Sequence, residues 1–183
     1  KRQSEFQVSA LREEVQGLEA QRRLWQGEKE KLQDQVKTLE RRLGPVRPWQ
    51  EAYMLYQKLA PDMQKELQGI FTTSSLDGFI ACGVQGENIW SLGDYAQLKC
   101  QAGAASELPI LQSLLDFFLS QYNLTFTVPR YVAQVVQAGE EFDVAKHIRG
   151  RDSKASGRIT TICLQGYENR QTEKIVKKSI VRV

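Results

Sequence analysis

Apolar residues recur at Val8, Leu11, Val15, Leu18, Trp25, Leu32, Val36, Leu39 and Leu43, in steps alternating between three and four. No other feature limits the fold as strongly. Written as heptads, Leu11, Leu18, Trp25, Leu32 and Leu39 fill position d, and Val8, Val15, Val36 and Leu43 fill position a. Arg22 and Lys29 occupy the two remaining a positions. An isolated helix of this kind would leave a leucine stripe in water, so the pattern predicts a paired helix. The competing reading is one amphipathic helix folded back on its own domain. Five heptads without a proline favour pairing between chains, so Leu11, Val15, Leu18, Trp25, Leu32, Val36 and Leu39 are the expected dimerisation residues. Valine at a with leucine at d favours a parallel pair.

Gly44-Pro45 and Pro48 end that helix, because proline lacks an amide donor and disfavours helix just before it. From Trp49 to Phe126 the pattern is again helical. Tyr53, Tyr56 and Leu59 share one spacing, and Met63, Leu67 and Ile70 follow Pro61-Asp62, where Asp62 suits a helix start. Phe79–Leu98 and Leu108–Leu124 predict two longer helices, with Leu111, Leu114, Leu115, Phe118 and Tyr122 on one face of the second. Such stripes read as core, and the segment as a bundle of four helices. After Val128-Pro129 the period changes. Tyr131–Gln137, Gly157–Gln165 and Ile175–Val183 are β-branched and apolar, punctuated by glycines 139, 150, 157 and 166. The predicted class is mainly α with a small C-terminal β domain: a coiled-coil helix over 1–44, a helical bundle over 45–127, and a β domain over 128–183.

The net charge of +3 is unevenly spread, at +2 over residues 1–43, −6 over 44–143 and +7 over 144–183. The basic end suits an acidic surface. Cys82, Cys100 and Cys163 are odd in number, widely spaced and without a CxxC pair, which argues against a disulfide framework or a zinc site. Together these predict a reduced, cytoplasmic protein. No apolar run approaches the roughly 20 residues of a membrane span. The sequence opens at Lys1 rather than at methionine, so nothing is inferred about what precedes it.

Chemistry is hard to find. His147 is the single histidine, which excludes a site built on two histidines. Gly83-Val-Gln-Gly86 lacks the lysine of a phosphate loop. Asp94, Asp116, Glu140, Glu141 and Asp143 are scattered, and solvated faces and caps account for them more simply than an acid–base pair does. The expectation is a non-enzyme that needs no cofactor or metal. Arg149, Arg151, Lys154, Arg158, Arg170, Lys174, Lys177, Lys178 and Arg182 could neutralise phosphates. Tyr167 is the only aromatic after Phe142 to stack a base, and no basic helix abuts the seam, so nucleic acid is disfavoured.

Three stretches carry a resemblance. Gly139-Glu-Glu-Phe-Asp-Val-Ala-Lys-His147 resembles the element G-x-x-F-D-P-x-x-H of GrpE, the nucleotide-exchange partner of DnaK-type chaperones. Gly157-Arg-Ile-Thr-Thr-Ile-Cys-Leu-Gln-Gly-Tyr167 is similar to its G-x-[IV]-x-x-[IV]-x-x-x-G-Y strand. Lys174-Ile-Val-Lys-Lys-Ser-Ile-Val-Arg-Val183 is similar to its closing strand, R-x-[LI]-R-x-A-x-V-x-V. The likeness covers residues 139–183 in detail and, in outline, the N-terminal helix, since GrpE proteins dimerise through long paired helices. Val144 stands where the family has proline. Lys174 and Lys177 stand where it prefers arginine, which keeps charge but loses the bidentate fork.

The resemblance implies a homodimer whose GrpE-like β head engages the ATPase domain of a DnaK-type chaperone and promotes ADP release. It implies contact through the face bearing Cys163, Lys174, Lys177 and Val183. Phe142 and Tyr167 read as packing residues, and His147 as a loop anchor. The alternative is a coiled-coil adaptor that uses such a head to hold a partner without accelerating exchange.

Overall fold

The computed structural model describes residues 2–72 and 74–183, with side chains described at 7, 11–72 and 74–183. Val8 of the seam therefore lies outside the described side chains. The chain is mainly helical and ends in a small β region of two sheets. It divides into two compact units, Lys1–Pro48 and Trp49–Val183.

The first unit is dominated by α1, Arg2–Leu43. Nothing in its sequence interrupts helical backbone until Gly44-Pro45, where Gly44 N–H still reaches Glu40 O at 2.9 Å. Leu11, Val15, Leu18, Trp25, Leu32, Val36, Leu39 and Leu43 are each between 52% and 63% exposed. The seam is thus an exposed apolar stripe along the helix. No helix among the described residues is long and apolar enough to cross a membrane.

The second unit begins within α2, Arg47–Gln57, and continues through α3 (Pro61–Glu66), α4 (Leu76–Gly83), α5 (Gly86–Ala102) and α6 (Leu108–Asn123). Proline opens α3 with Asp62 in its first turn, and Ser75 Oγ caps α4 by accepting from Gly78 N–H at 3.1 Å. The helix expected over Phe79–Leu98 is in fact two, broken at Val84-Gln85. Gly83 and Gly86 weaken helix there, and both press on α6. A β-carbon at Gly83 would fall 1.9 Å from the Phe118 ring, and one at Gly86 would fall 3.1 Å from the Tyr122 hydroxyl. The centre is aromatic: Phe71, Phe79 and Phe118 lie with centroids 4.9–5.7 Å apart and are almost wholly buried. Each such side chain stabilises by about 1.5–3 kcal/mol through burial.

Six short strands follow: β1 (Tyr131–Ala133), β2 (His147–Arg149), β3 (Thr161–Leu164), β4 (Tyr167–Asn169), β5 (Lys174–Lys177) and β6 (Ser179–Arg182). They form two sheets in the orders β1-β4-β5 and β2-β6-β3, antiparallel except for β2 against β6. The single strand expected over Ile175–Val183 is divided at Lys178, where the chain passes from one sheet to the other. Lys178 O there accepts from Gln97 Nε2 at 2.8 Å. Ile180, Leu164 and Tyr167 join the helical core, while Val181, Val136, Ile159 and Phe142 make a smaller one. The helical segment and the β segment of this unit therefore share a core.

Candidate partner-binding surface

The three motif stretches meet. Gly139, in the left-handed region at φ +95°, turns the chain so that its N–H reaches Ile159 O at 2.7 Å. Ile159 N–H then donates to Glu140 O at 2.8 Å and Phe142 N–H to Gly157 O at 2.9 Å, with Glu141 and Arg158 bridged between them. Phe142 is packed into the small core. Beyond it, Asp143 caps a tight turn. Its Oδ1 accepts from Ala145 N–H at 2.8 Å, and its carbonyl accepts from His147 N–H at 2.8 Å. The first and second stretches are thus paired directly, and β6 of the third lies between β2 of the first and β3 of the second.

His147 is buried, and its Nδ1 accepts from Asp143 N–H at 3.2 Å. Burial holds its pKa below the usual histidine value, against the opposing pull of Asp143 and Glu140. The neutral ring with its proton on Nε2 is the form this geometry requires.

Gly166 sits against the crossover between the sheets. A β-carbon there would stand 2.1 Å from Lys177 O and 2.6 Å from Ser179 N. Its N–H donates to Ser179 Oγ at 2.8 Å, and Ser179 in turn donates through both its backbone N–H and its hydroxyl to Gln134 Oε1. Gln165 Nε2 donates to Gln134 O, and Gln165 N–H to Gln112 Oε1 of α6. These glutamines hold the sheets to the helices, and no sequence signal set them apart. Tyr167 is buried and stacked on Trp90 at 5.7 Å, and burial, then Asp94, raises its pKa.

The four expected contact residues fall in different settings. Lys174 on β5 is exposed, and Lys177 on the same strand is half-buried and ion-paired with Asp94 of α5. The alternation along β5 puts Lys174 with Val176 outside and Lys177 with Ile175 inside. Cys163 on β3 is half-buried against the helical core beside Cys100 of α5, whose thiol is pushed up to about 11 by burial and by Cys163. Val183 follows β6, half-buried, with its N–H on Ser153 Oγ at 2.7 Å. The geometry therefore brings Cys163 and Val183 to one sheet and the two lysines to the other.

Several basic residues have intramolecular work. Lys178 Nζ donates to Val144 O at 2.7 Å, and Arg151 Nη1 to Ala102 O at 3.3 Å. The second contact places a cation at the C-terminal end of α5, where the helix dipole favours it. Arg149, Lys154, Arg158, Arg170 and Arg182 are exposed. Among the described residues, no three histidine, cysteine, aspartate or glutamate side chains are grouped to hold a metal. No protein-family model, curated protein or solved structure matches the chain.

Proposed function

We propose that the chain is a GrpE-like nucleotide-exchange factor of the cytoplasm, a non-enzyme without cofactor that acts as a coiled-coil homodimer. Two copies pair along the α1 seam, and the β segment binds the ATPase domain of a DnaK-type chaperone. Binding the open-cleft form better than the closed one shifts the equilibrium between them and lets ADP leave. Taking a form populated at about 1% to near completion needs about 5.5 kcal/mol of differential affinity. The contact must accordingly be broad, with Lys174, Cys163, Lys177 and Val183 as parts of it.

One observation carries the reading. Three stretches similar to GrpE elements occur in family order over residues 139–183, and all three are joined through a β-bridge and β6 into one paired assembly. The test is release of a fluorescent ADP analogue from a DnaK-type ATPase under excess unlabelled nucleotide, with and without the protein. Faster release is the expected result. Tight binding with unchanged release makes the protein an adaptor, and absence of binding removes the chaperone altogether.

A further inference from the structure

The charges in and beside the α1 seam allow one more step, which rests on the paired-helix part of the reading above and not on its chaperone part. We propose that two copies of α1 pair antiparallel, about a two-fold axis at the level of Gly27, the seam charges outweighing the preference of valine at a with leucine at d for a parallel pair.

In helices running the same way, each seam residue meets its own copy. Arg22 then faces Arg22 and Lys29 faces Lys29, which puts two layers of like charge into the seam. Glu28, one position before Lys29, relieves only the second. On the flank, Glu14 would face Glu19 of the other copy. A polar residue in the seam is tolerated at a cost in stability, and here there are two, both cationic.

Reversing one helix sets each a position beside a d position of the other copy. In the register centred on Gly27, Leu43 meets Leu11, Leu39 meets Val15 and Val36 meets Leu18, each twice. Leu32 then receives Arg22, and Trp25 receives Lys29. Each of the four cations lies opposite an apolar residue, and none shares a layer with its own copy, although the two Lys29 side chains occupy adjacent layers. The methylene stems of Arg22 and Lys29 lie along apolar neighbours with their heads at the edge, and the indole offers Lys29 an attractive π face. Glu28 does meet Glu28 across the axis, but with Arg22 and Lys29 of both chains around it. On the flanks Arg12 comes beside Glu40, and Glu14 beside Arg42. All four are exposed, and none is ion-paired within its own chain among the described residues. The seam is exposed along the whole stretch from Leu11 to Leu43, which this register covers end to end. At about 1.5 Å per residue, the two points where the chains leave the paired helices are then about 48 Å apart.

The full chain carrying Leu11→Cys or Leu43→Cys tests this in a glutathione redox buffer, with crosslinks located by peptide mass so that Cys82, Cys100 and Cys163 are distinguished. The mixture is expected to form an 11–43 disulfide that neither variant forms alone. An 11–11 or 43–43 disulfide in a single variant overturns the orientation. A second variant has opposite consequences in the two arrangements. Glu14→Lys should weaken dimerisation about fivefold by facing Arg42, taking exposed pairs at their usual modest worth, and adding Arg42→Glu should restore it. In a same-direction pair Glu14→Lys would relieve Glu19 and tighten the dimer, so tightening or no change counts against the proposal. A monomeric mass for the intact protein overturns the pairing itself. A wrong crosslink with ADP release intact overturns the orientation alone.

Discussion

His147 and Gly166 are single residues whose surroundings make firm demands. His147 is neutral and accepts a hydrogen bond through Nδ1 in the folded protein, with its pKa lowered by burial. Unfolded, it titrates near the ordinary value of about 6.5. Below that value the unfolded chain gains a proton that the folded one resists. Stability is thus fully present above about pH 6.5 and declines as pH falls towards the lower folded pKa. Urea midpoints between pH 5 and 8 should show that decline. His147→Asn, which keeps an acceptor without titrating, should lose this part of the slope, and an unchanged slope would show that other groups cause it. Gly166→Ala is expected to be costlier, because its β-carbon would collide with backbone that cannot rotate away. A loss of about 3 kcal/mol follows from forced backbone movement, or roughly 10 °C in melting temperature. A melting temperature within two or three degrees of the parent's would show that the crossover is looser than the contacts imply. Gly166 as punctuation between β-rich stretches, Phe142 and Tyr167 as packing residues and His147 as an anchor are legible from the sequence, because residue type and local spacing carry that information. The ties of Gln112, Gln134 and Gln165 are not, since glutamine has no periodicity and its partners are set by tertiary approach.

Among the elements, α1 was the most legible and the strands the least. Its long unbroken helix and exposed seam follow from a sustained repeat ended by Gly44-Pro45. Helix propensity and a repeat are local properties, so sequence reads them well. The break at Val84-Gln85 is masked by apolar spacing that continues across it; it falls between Gly83 and Gly86, which weaken helix and lie close to Phe118 and Tyr122 of α6. The division of Ile175–Val183 was missed for a similar reason, since β-branched residues run through Lys178 and only pairing partners distinguish β5 from β6. The seam makes its own prediction. Replacing Leu18 and Leu32 together by lysine should convert the dimer into a monomer, because each lysine puts an uncompensated charge into a desolvated seam. The helix should survive, as lysine is a good helix former. Sedimentation at tens of micromolar checks the mass and circular dichroism the helix. A variant that remains dimeric would place the interface elsewhere.

At the scale of the molecule, the helices and sheets of residues 49–183 share a core that includes Phe79, Phe118, Leu164, Tyr167 and Ile180. A chain lacking residues 1–48 should therefore unfold in one transition, with fluorescence of Trp49 and Trp90 and far-ultraviolet dichroism giving the same midpoint. Two separated transitions would mean that the β segment is an independent domain after all. That shared core also changes how the contact residues must be tested. Lys177 holds Asp94 of α5, and reversing its charge would set two carboxylates together, disturbing the unit before any partner is met. Lys174 is exposed on the outer side of β5 and has no ion-pair partner among the described residues. Lys174→Glu should therefore leave the melting temperature unchanged while weakening binding to a DnaK-type ATPase about tenfold, the order of reversing one well-placed charge at a binding surface. The loss should shrink in salt, because exposed charges are screened beyond about 8–10 Å at physiological ionic strength. Val183→Asp should weaken binding with less salt dependence, because it removes apolar contact. It should also loosen the Ser153 and Gly157 surroundings of the C-terminus, so its melting temperature has to be measured alongside. The informative quantity is the comparison of affinities at two salt concentrations for variants of matched stability. If Lys174→Glu binds as tightly as the parent at both, β5 does not face the chaperone, and the contact must be sought among the exposed cations Arg149, Lys154 and Arg158 instead.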